Sequence, residues 1–351
     1  MSVKRYRVGV LGATGMVGQR MLALLENHPW FEVTALAASE QSAGKSYREA
    51  AHWNLDTPMP EIFAGTTVRR CEPPLDCDFV LSGLDNSVAG GIEEAFAAAG
   101  YPVISNAKNH RMESDVPLLI PEVNPEHLAA IRVQQEKRGW KKGFIVTNPN
   151  CSTVGLVCAL KPLADAFGLK KVLVTTLQAI SGAGYPGVPS LDILDNVIPH
   201  IGGEEEKLQS ETLKLLGSHG AEGFRNAAVT VSAHCNRVHV RDGHLECVSV
   251  EFEHAAQAEE VLRAWRDFTP AVAKHKLPSV PVPFIVYREE QNRPQPRVDR
   301  ATGNGMAITV GRLRACPVLQ HKFVLLSHNT VRGAAGAAIA DAELLAAEGL
   351  L

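Results

Sequence analysis

The sequence has no apolar run approaching the ~18 residues that a membrane-spanning helix needs, so we expect no membrane partner. It has no excess of one charge sign either. Its 35 Lys and Arg side chains stand against 38 Asp and Glu, a net charge of -3, which does not indicate a nucleic-acid partner. The start, residues 1–7, is basic, but the apolar stretch behind it breaks into glycines and does not resemble a signal peptide.

The seven cysteines are odd in number and none forms a Cys-x-x-Cys pair. A disulfide framework or a structural zinc site is therefore not expected, and reduced thiols in a cytoplasmic protein fit better. A metal site in the stretch with His234, Cys235, His239, His244 and Cys247 is not expected. Its spacing matches no zinc pattern, and residues 234 and 239 would face opposite sides of a strand.

The length of 351 residues suggests two domains, because single cores rarely grow past about 250–300 residues. The first third alternates strand-like and helix-like patterns, which predicts a parallel sheet of βαβ units. The predicted strands are 7–11, 31–38, 78–84 and 102–105, and the predicted helices are 17–26 and 92–99. This part is expected to be a Rossmann-type dinucleotide-binding domain of an α/β protein.

The middle of the chain has longer strand-like runs and fewer helices, which predicts a second, α+β domain. A strand at 144–147 precedes the domain boundary, and further strands are predicted at 171–180, 229–240, 245–252, 306–313 and 321–327, with helices at 152–166 and 204–216. Asp242-Gly243 predicts a hairpin between the strands on either side. We place the domains at 1–148 and 149–329, and expect a closing helix within 330–351 to pack back on the first domain.

A glycine-rich loop follows the first strand and opens a helix: Gly12-Ala13-Thr14-Gly15-Met16-Val17-Gly18. Glycines there permit a tight turn and a close approach of backbone N–H groups to a pyrophosphate, which the helix N-terminus also attracts. The spacing is not the usual G-x-G-x-x-G, so a plain strand-to-helix turn stays open. The position of the loop at the first βα turn favours a dinucleotide site.

The end of the second strand indicates which dinucleotide binds. An Asp or Glu near this point binds the ribose 2′-hydroxyl of NAD, whereas a 2′-phosphate calls for hydroxyls and a cation. The strand ends just before Ser39, and Ser42 and Lys45 follow. NADP is therefore the favoured cofactor, and Glu40 beside Ser39 keeps NAD open.

Cys151 stands at the predicted start of a helix, after Asn148-Pro149-Asn150. A helix N-terminus favours the thiolate, which is the attacking form of cysteine. Asn150 and the backbone N–H groups there are candidates to hold an oxyanion. The alternative is a buried structural cysteine, as expected for Cys158. A thiolate beside a nicotinamide suggests a thioester made or broken with hydride transfer at the same carbon.

This chemistry needs an acid/base partner, and the histidines between 234 and 244 are candidates. If the turn at 242–243 joins a hairpin, Arg241 pairs with His244, and Arg237 shares a face with His244. That placement predicts that Arg237 and His244 belong to one site, if the assumed register of the hairpin holds.

Several motifs in this order resemble the aspartate-semialdehyde dehydrogenases, particularly the archaeal and fungal branch, over nearly the whole chain. The motifs are Gly12-Ala13-Thr14-Gly15, Asn148-Pro149-Asn150-Cys151-Ser152, Gln178-Ala179-Ile180-Ser181-Gly182-Ala183-Gly184, Glu204-Glu205-Glu206-Lys207, Arg237 with His244, and Asn329-Thr330-Val331-Arg332-Gly333-Ala334. The resemblance implies NADP-dependent reductive dephosphorylation of L-aspartyl 4-phosphate to L-aspartate 4-semialdehyde, in lysine, methionine and threonine biosynthesis. It also implies small-molecule substrates and a homodimer or homotetramer.

The resemblance also implies roles for single residues. Cys151 would be the nucleophile, His244 the general acid/base and Gln178 the residue that orients the acyl group. The implied substrate contacts are Arg237 for the α-carboxylate, Glu204 for the α-amino group, Lys207 and Arg111 for the phosphate, and Asn150. The implied cofactor contacts are Gly12, Thr14, Gly15, Met16, Val17, Ser39, Ser42, Ser181, Gly182, Gly184 and Asn329.

Alternatives remain beside these roles. The acidic run at 204–206 is by itself typical of a solvated helix start. By itself, Arg111 is expected to be a surface arginine. His328 stands where an Asp is expected next to Asn329. Rival functions are a malonyl- or succinyl-CoA reductase, an N-acetyl-glutamyl phosphate reductase and a silent NADP-binding protein. The N-acetyl-glutamyl phosphate reductases typically have Asn-Pro-Gly-Cys, and residue 150 is Asn here.

Overall fold

A six-stranded sheet forms the first part of the chain in the computed structural model, which describes residues 5–220 and 222–351. Residues 1–4, part of the basic start, lie outside the described residues. The strands are β1 (Tyr6–Leu11), β2 (Phe31–Ala38), β3 (Arg69–Arg70), β4 (Phe79–Ser82), β5 (Pro102–Ser105) and β6 (Phe144–Thr147). They lie in the order β3-β2-β1-β4-β5-β6, and every neighbouring pair is parallel. This order is that of dinucleotide-binding sheets, which confirms the predicted fold class.

Helices connect these parallel strands, as parallel pairing requires. They are α1 (Met16–Leu25), α2 (Tyr47–Ala50), α3 (Glu61–Ala64), α4 (Asn86–Ala98) and α5 (Ala130–Arg138). β4, β5 and β6 are buried along their whole length, which explains their continuous apolar sequences. α4 begins six residues before the predicted helix, because Asp85 caps it by accepting a hydrogen bond from the N–H of Ser87. α5 was not predicted, because its sequence is mostly polar.

A second sheet of six strands, with mixed directions, follows. Its part of the chain contains α6 (Cys151–Phe167), β7 (Leu169–Gln178), α7 (Ser190–Ile193), α8 (Glu204–Leu215), β8 (Ser218–Gly220), β9 (Gly223–Arg225), β10 (Thr230–Arg237), β11 (His244–Phe252), α9 (Ala258–Arg266), β12 (Ile285–Arg288), α10 (Pro296–Asp299), β13 (Ile308–Ala315) and β14 (His321–Ser327). The order is β10-β7-β11-β14-β13-β12, with β8 and β9 as a separate pair. This is the predicted α+β architecture.

The predicted hairpin at Asp242-Gly243 is wrong. β10 pairs in parallel with β7, and β11 pairs with the other edge of β7 in antiparallel fashion, so β7 separates the two strands. The segment 238–243 therefore crosses the end of β7 instead of forming a tight turn. The assumed pairing of Arg241 with His244 does not exist. Arg237 and His244 still come together, because both flank the end of β7.

The helix α6 is buried and apolar over most of its length and packs against β7, β11, β13 and β14. A helix with that composition is expected to be buried, and it fixes the position of its first residue, Cys151, against the sheet. Within the described part of the chain, no helix is long and apolar enough to cross a membrane.

Packing divides the chain into two units. The first contains the described residues up to Leu119, together with Glu126–Asn148 and Ala334–Leu351. The second contains Ile120–Pro125 and Pro149–Gly333. The closing helix α11 (Gly336–Ala347) lies against α1 and β5 within the first unit.

Candidate active site

Cys151 is the first residue of α6, and Asn150 caps that helix. The Oδ1 atom of Asn150 accepts hydrogen bonds from the N–H groups of Ser152 at 2.9 Å and Thr153 at 3.4 Å. The thiol is partly exposed. Because the first N–H groups of a helix carry partial positive charge, this position favours a negative sulfur.

The imidazole of His244 lies beside the thiol. Its Nε2 atom is 3.1 Å from Sγ of Cys151, and its Nδ1 atom accepts a hydrogen bond of 3.0 Å from the N–H of Ala179. Since a backbone N–H can only donate, the neutral ring carries its proton on Nε2, facing the sulfur. The pKa of His244 lies well below its usual value because of burial and then the positive charges of Arg237 and His328.

Arg237 and Gln178 are the last residues of the parallel strands β10 and β7, and they are partners in register. Nη1 of Arg237 donates to the carbonyl oxygen of Ala179 at 2.8 Å. Burial lowers the pKa of Arg237, and the negative charges of Cys151 and Glu204 oppose that effect. The charge of the guanidinium is therefore coupled to those of Cys151 and Glu204.

Gln178 is fully buried at the end of β7. Its Nε2 atom donates to Oγ1 of Thr176 at 3.3 Å, whereas its Oε1 atom has no hydrogen-bond partner among the described residues. A buried amide oxygen without a partner costs free energy, so its retention here fits a residue that contacts a ligand.

Gly182 lies in the short 3-10 turn Ile180–Ala183 that follows β7. A Cβ atom at this position would lie 2.8 Å from Nη1 of Arg237 and 3.1 Å from Cε1 of His244. Only glycine allows the turn to approach both side chains this closely. Ser181 and Gly184 belong to the same turn and its end.

Glu204 begins α8, and its carboxylate accepts hydrogen bonds from the side chain of Asn150. The Nδ2 atom of Asn150 lies 2.9 and 3.0 Å from the two oxygens. Lys207, one turn later, donates to the same carboxylate at 3.0 Å. Glu211, which the sequence analysis missed, accepts from the backbone N–H of Asn150 at 2.6 Å. Its spacing of seven residues from Glu204 was the available signal.

Two predicted contact residues have both ends of their amides engaged within the protein. Asn150 binds the N-terminus of α6 and Glu204, as described above. Asn329 accepts a hydrogen bond from the N–H of Gly243 at 2.8 Å and donates to Oγ of Ser181 at 2.8 Å. The oxyanion contact of the first and the nicotinamide contact of the second therefore stay predictions.

A buried ion pair fixes the segment that carries Asn329. Arg332 binds Glu122 at two points, 2.7 and 2.8 Å, and donates to Sγ of Cys158 at 3.4 Å. One residue later, a Cβ atom at Gly333 would lie 2.7 Å from Cβ of Cys151. The start of α6 therefore packs directly against this anchored segment.

The glycine loop of the first unit has the geometry of a phosphate-binding turn. Gly12 has φ of +73°, and a Cβ atom there would lie 2.7 Å from the carbonyl oxygen of Gly83. A Cβ atom at Gly18 would lie 2.3 Å from the carbonyl oxygen of Gly12. Gly15 precedes α1 without a side-chain cap. These residues, with Thr14, Met16 and Val17 between them, fit the bound pyrophosphate of a dinucleotide.

The other predicted residues of the first unit lie at two places. The Oγ atoms of Ser39 and Ser42 are 3.5 Å apart in the loop after β2. Arg111 is buried and not a surface residue, and its Nη2 atom donates to the carbonyl oxygen of Asn106 at 2.7 Å.

Comparison with known proteins identifies relatives over the full chain. Residues 7–131 match the family "Semialdehyde dehydrogenase, NAD binding domain", and residues 160–332 match "Semialdehyde dehydrogenase, dimerisation domain". An aspartate-semialdehyde dehydrogenase of Archaeoglobus fulgidus is 52% identical over 99% of this chain and 100% of its own length. One from Methanothermobacter thermautotrophicus is 53% identical over 96% and 98%. The crystal structure of aspartate semialdehyde dehydrogenase with NADP from Candida albicans has a TM-score of 0.92 and 46% identity, covering 99% of this chain and 100% of that one.

Proposed function

This chain belongs to the aspartate-semialdehyde dehydrogenase family, and on that premise we propose how its residues carry out the reaction. It is an NADP-dependent oxidoreductase of amino-acid biosynthesis that interconverts L-aspartyl 4-phosphate and L-aspartate 4-semialdehyde with phosphate. The contact of 3.1 Å between Sγ of Cys151 and Nε2 of His244 is the observation that carries the mechanism.

Cys151 acts as the nucleophile. In the biosynthetic direction its sulfur attacks the acyl carbon, the carbon–oxygen bond to phosphate breaks, and a thioester forms on Cys151. Bound NADPH supplies the hydride that reduces this carbon. The resulting thiohemiacetal collapses to the aldehyde as the carbon–sulfur bond breaks, and the proton on Nε2 of His244 stabilises the departing sulfur.

Arg237 and Glu204 match the charged groups of an aspartyl substrate. Arg237 and Glu204 are both buried, and the negative charge of Glu204 acts on the guanidinium, whereas an α-amino acid presents one carboxylate and one ammonium. We assign the carboxylate to Arg237, whose planar fork suits it, and the ammonium to Glu204. Gln178, with its buried unpaired oxygen, orients the acyl group. Lys207 and Arg111 keep the phosphate contact that the resemblance implies.

We further propose that the two units are an NADP-binding domain, 1–148 with the closing helix of 330–351, and a catalytic and dimerisation domain, 149–329.

The match of residues 160–332 to a dimerisation domain supports an oligomer. α6 covers one face of the second sheet, whereas the other face exposes Leu173 and Cys247. We propose that this open face forms a homodimer. A cytoplasmic location fits the seven cysteines, none of which forms a disulfide.

The test is a substrate panel with purified protein. The wild type should reduce NADP with aspartate semialdehyde only when phosphate is present, and it should not oxidise NADPH with malonyl-CoA or succinyl-CoA. Cys151→Ala should abolish the activity, whereas Cys158→Ala on the same helix should retain it. Phosphate-dependent activity in Cys151→Ala would exclude this mechanism, and preferred use of a CoA thioester would replace the substrate.

A further inference from the structure

The end of β2 is the part of the first sheet that distinguishes NADP from NAD. In sheets with this strand order, an acidic residue near this point binds the ribose 2′-hydroxyl, whereas a nearby arginine accommodates a 2′-phosphate. β2 ends at Ala38, and the loop after it supplies Ser39, Glu40 and Ser42. The sequence favours NADP because the two serines suit the phosphate, and it leaves NAD open because Glu40 suits the hydroxyl.

The short strand β3 brings an arginine to this loop. It is the edge strand of the sheet and pairs in parallel with β2 through two residues, Ala37 with Arg69 and Ala38 with Arg70. Arg70 therefore lies beside Ala38, the last residue of β2, which directly precedes Ser39. Because successive side chains of a strand point to opposite faces, Arg69 and Arg70 leave the sheet on different sides.

The guanidinium of Arg70 extends to the loop itself. Its Nη1 atom lies 3.5 Å from Oε1 of Glu40, and Glu40 stands between the two serines in sequence. The side chains of this ion pair are 58% and 79% exposed, so the pair contributes little to stability. A 2′-phosphate can therefore replace the carboxylate, since its oxygens match the fork of arginine at two points.

Two other cations near this loop interact with other carboxylates. The pKa of Glu49 is lowered first by hydrogen bonds from Ser46 and further by the charge of Lys45. Arg48 forms an ion pair of 2.6 Å with Glu61. Of these cations and Arg70, it is Arg70 that contacts the segment between the serines.

We propose that Arg70 is the residue that selects NADP over NAD, by binding the 2′-phosphate together with Ser39 and Ser42. Glu40 is then the partner of Arg70 in the absence of nucleotide and a competitor of the phosphate, not a ligand of the ribose. This inference rests on the proposed function only in taking NADP as the cofactor.

Equilibrium binding of two small nucleotides tests the proposal without catalysis. Adenosine 2′,5′-bisphosphate and 5′-AMP differ only in the 2′-phosphate, and calorimetry measures the Kd of each. Arg70→Ala should weaken the bisphosphate roughly tenfold or more and leave 5′-AMP unchanged. Arg69→Ala, the matched control on the other face, should change neither. Glu40→Gln should tighten the bisphosphate, because a competing negative charge is gone.

Steady-state kinetics give a second readout. Arg70→Ala should lower kcat/KM for NADPH by a similar factor and leave kcat/KM for NADH unchanged. The proposal is overturned if Arg70→Ala weakens the bisphosphate no more than Arg69→Ala does, or weakens both nucleotides equally. A wild type that binds the two nucleotides equally would overturn the cofactor assignment as well. If Arg70→Ala still prefers the bisphosphate to 5′-AMP as strongly as the wild type does, the role of Arg70 is wrong and the cofactor assignment stands.

Discussion

The imidazole of His244 is held between the sulfur of Cys151, 3.1 Å from Nε2, and the N–H of Ala179, 3.0 Å from Nδ1. Because the Ala179 N–H occupies Nδ1, the ring presents a proton to the sulfur. Removing a thiol proton at Nε2 would require the other tautomer and would break the bond to Ala179. The resting geometry therefore makes His244 a donor to a negative sulfur, with the helix terminus favouring the thiolate.

We expect His244→Ala to lower kcat by roughly 10²–10⁴-fold, the usual contribution of a positioned acid/base group. Cys151 remains in place in this variant, so residual activity should persist. The measurement is steady-state NADPH turnover, with exposed His239→Ala as the control that keeps full activity. Full activity in His244→Ala would show that another group stabilises the sulfur.

The pH profile should reflect the neighbours of His244. Its pKa is lowered by burial first, then by Arg237 and His328, so the neutral ring persists below the ordinary histidine value of ~6.5. Replacing His328 with Asn removes a positive neighbour and therefore raises the pKa of His244. The acidic limb of the kcat/KM profile should move to higher pH in His328→Asn. If the acidic limb stays at the same pH or moves to lower pH, the titration of His244 does not set it.

Local sequence signals predicted the elements of this fold more reliably than their neighbours in the sheets. The strands 31–38, 102–105, 144–147 and 321–327 have the predicted bounds, because apolar residues dominate each of them and turn residues follow or precede it. The hairpin failed because Asp242-Gly243 reports a local turn and carries no information about β7, which lies between β10 and β11.

The sequence predicted those parts of the candidate site that a single residue and its local position indicate. It missed the contacts between side chains that come from different elements. A cysteine at a helix start and a histidine are visible in the sequence. That the Asn150 side chain joins the α6 terminus to Glu204, and that Glu211 binds the backbone of Asn150, depends on the packing of α8. No local pattern specifies that packing.

We expect Gly182→Ala to impair catalysis without unfolding the protein. The added Cβ atom would lie 2.8 Å from Nη1 of Arg237 and 3.1 Å from Cε1 of His244, so one of these side chains must move. Displacement of a positioned group by about 1 Å can cost roughly 10²-fold in rate. The checks are kcat/KM and Tm. Gly202→Ala, where an added Cβ atom meets nothing within 4 Å, should change neither, and equal effects at the two glycines would contradict this account.

Glu246 should make the stability of the protein depend on pH. It lies two residues after His244 on the same face of β11, is fully buried, and neither carboxylate oxygen has a hydrogen-bond partner among the described residues. Burial raises its pKa well above the usual value. Between the unfolded pKa of about 4.5 and the higher folded pKa, the unfolded state loses its proton first, so stability falls as pH rises.

Glu246→Gln removes that titration. Its stability relative to the wild type should increase with pH across this window, by up to about 1.4 kcal/mol for each pH unit. Denaturant unfolding at several pH values measures the difference. The control is Glu251→Gln on the same strand. Hydrogen bonds from Lys171 and Lys170 lower the pKa of Glu251, so its removal should not stabilise the protein. A gain in Glu246→Gln that is independent of pH would contradict this explanation.

Alkylation of the native protein should distinguish the reactive thiols from the buried ones. Burial raises the pKa of Cys77 and Cys158 to about 12 and that of Cys235 to about 11, so these thiols should resist iodoacetamide. Burial opposes the shift at Cys316, but hydrogen bonds from the N–H groups of Leu319 and Val318 lower its pKa. Cys316 should therefore react alongside Cys151, although the sequence marks only Cys151 as unusual.

Loss of activity should follow the modification of Cys151 and not that of Cys316, because only Cys151 contacts His244 at the start of α6. Mass spectrometry of peptides taken over time measures each thiol against remaining activity. Cys316→Ser should keep full activity and be inactivated at the wild-type rate, since the reagent still reaches the helix terminus. If inactivation slows in Cys316→Ser, the thiolate at Cys316 influences catalysis, and a single reactive sulfur no longer accounts for the chemistry.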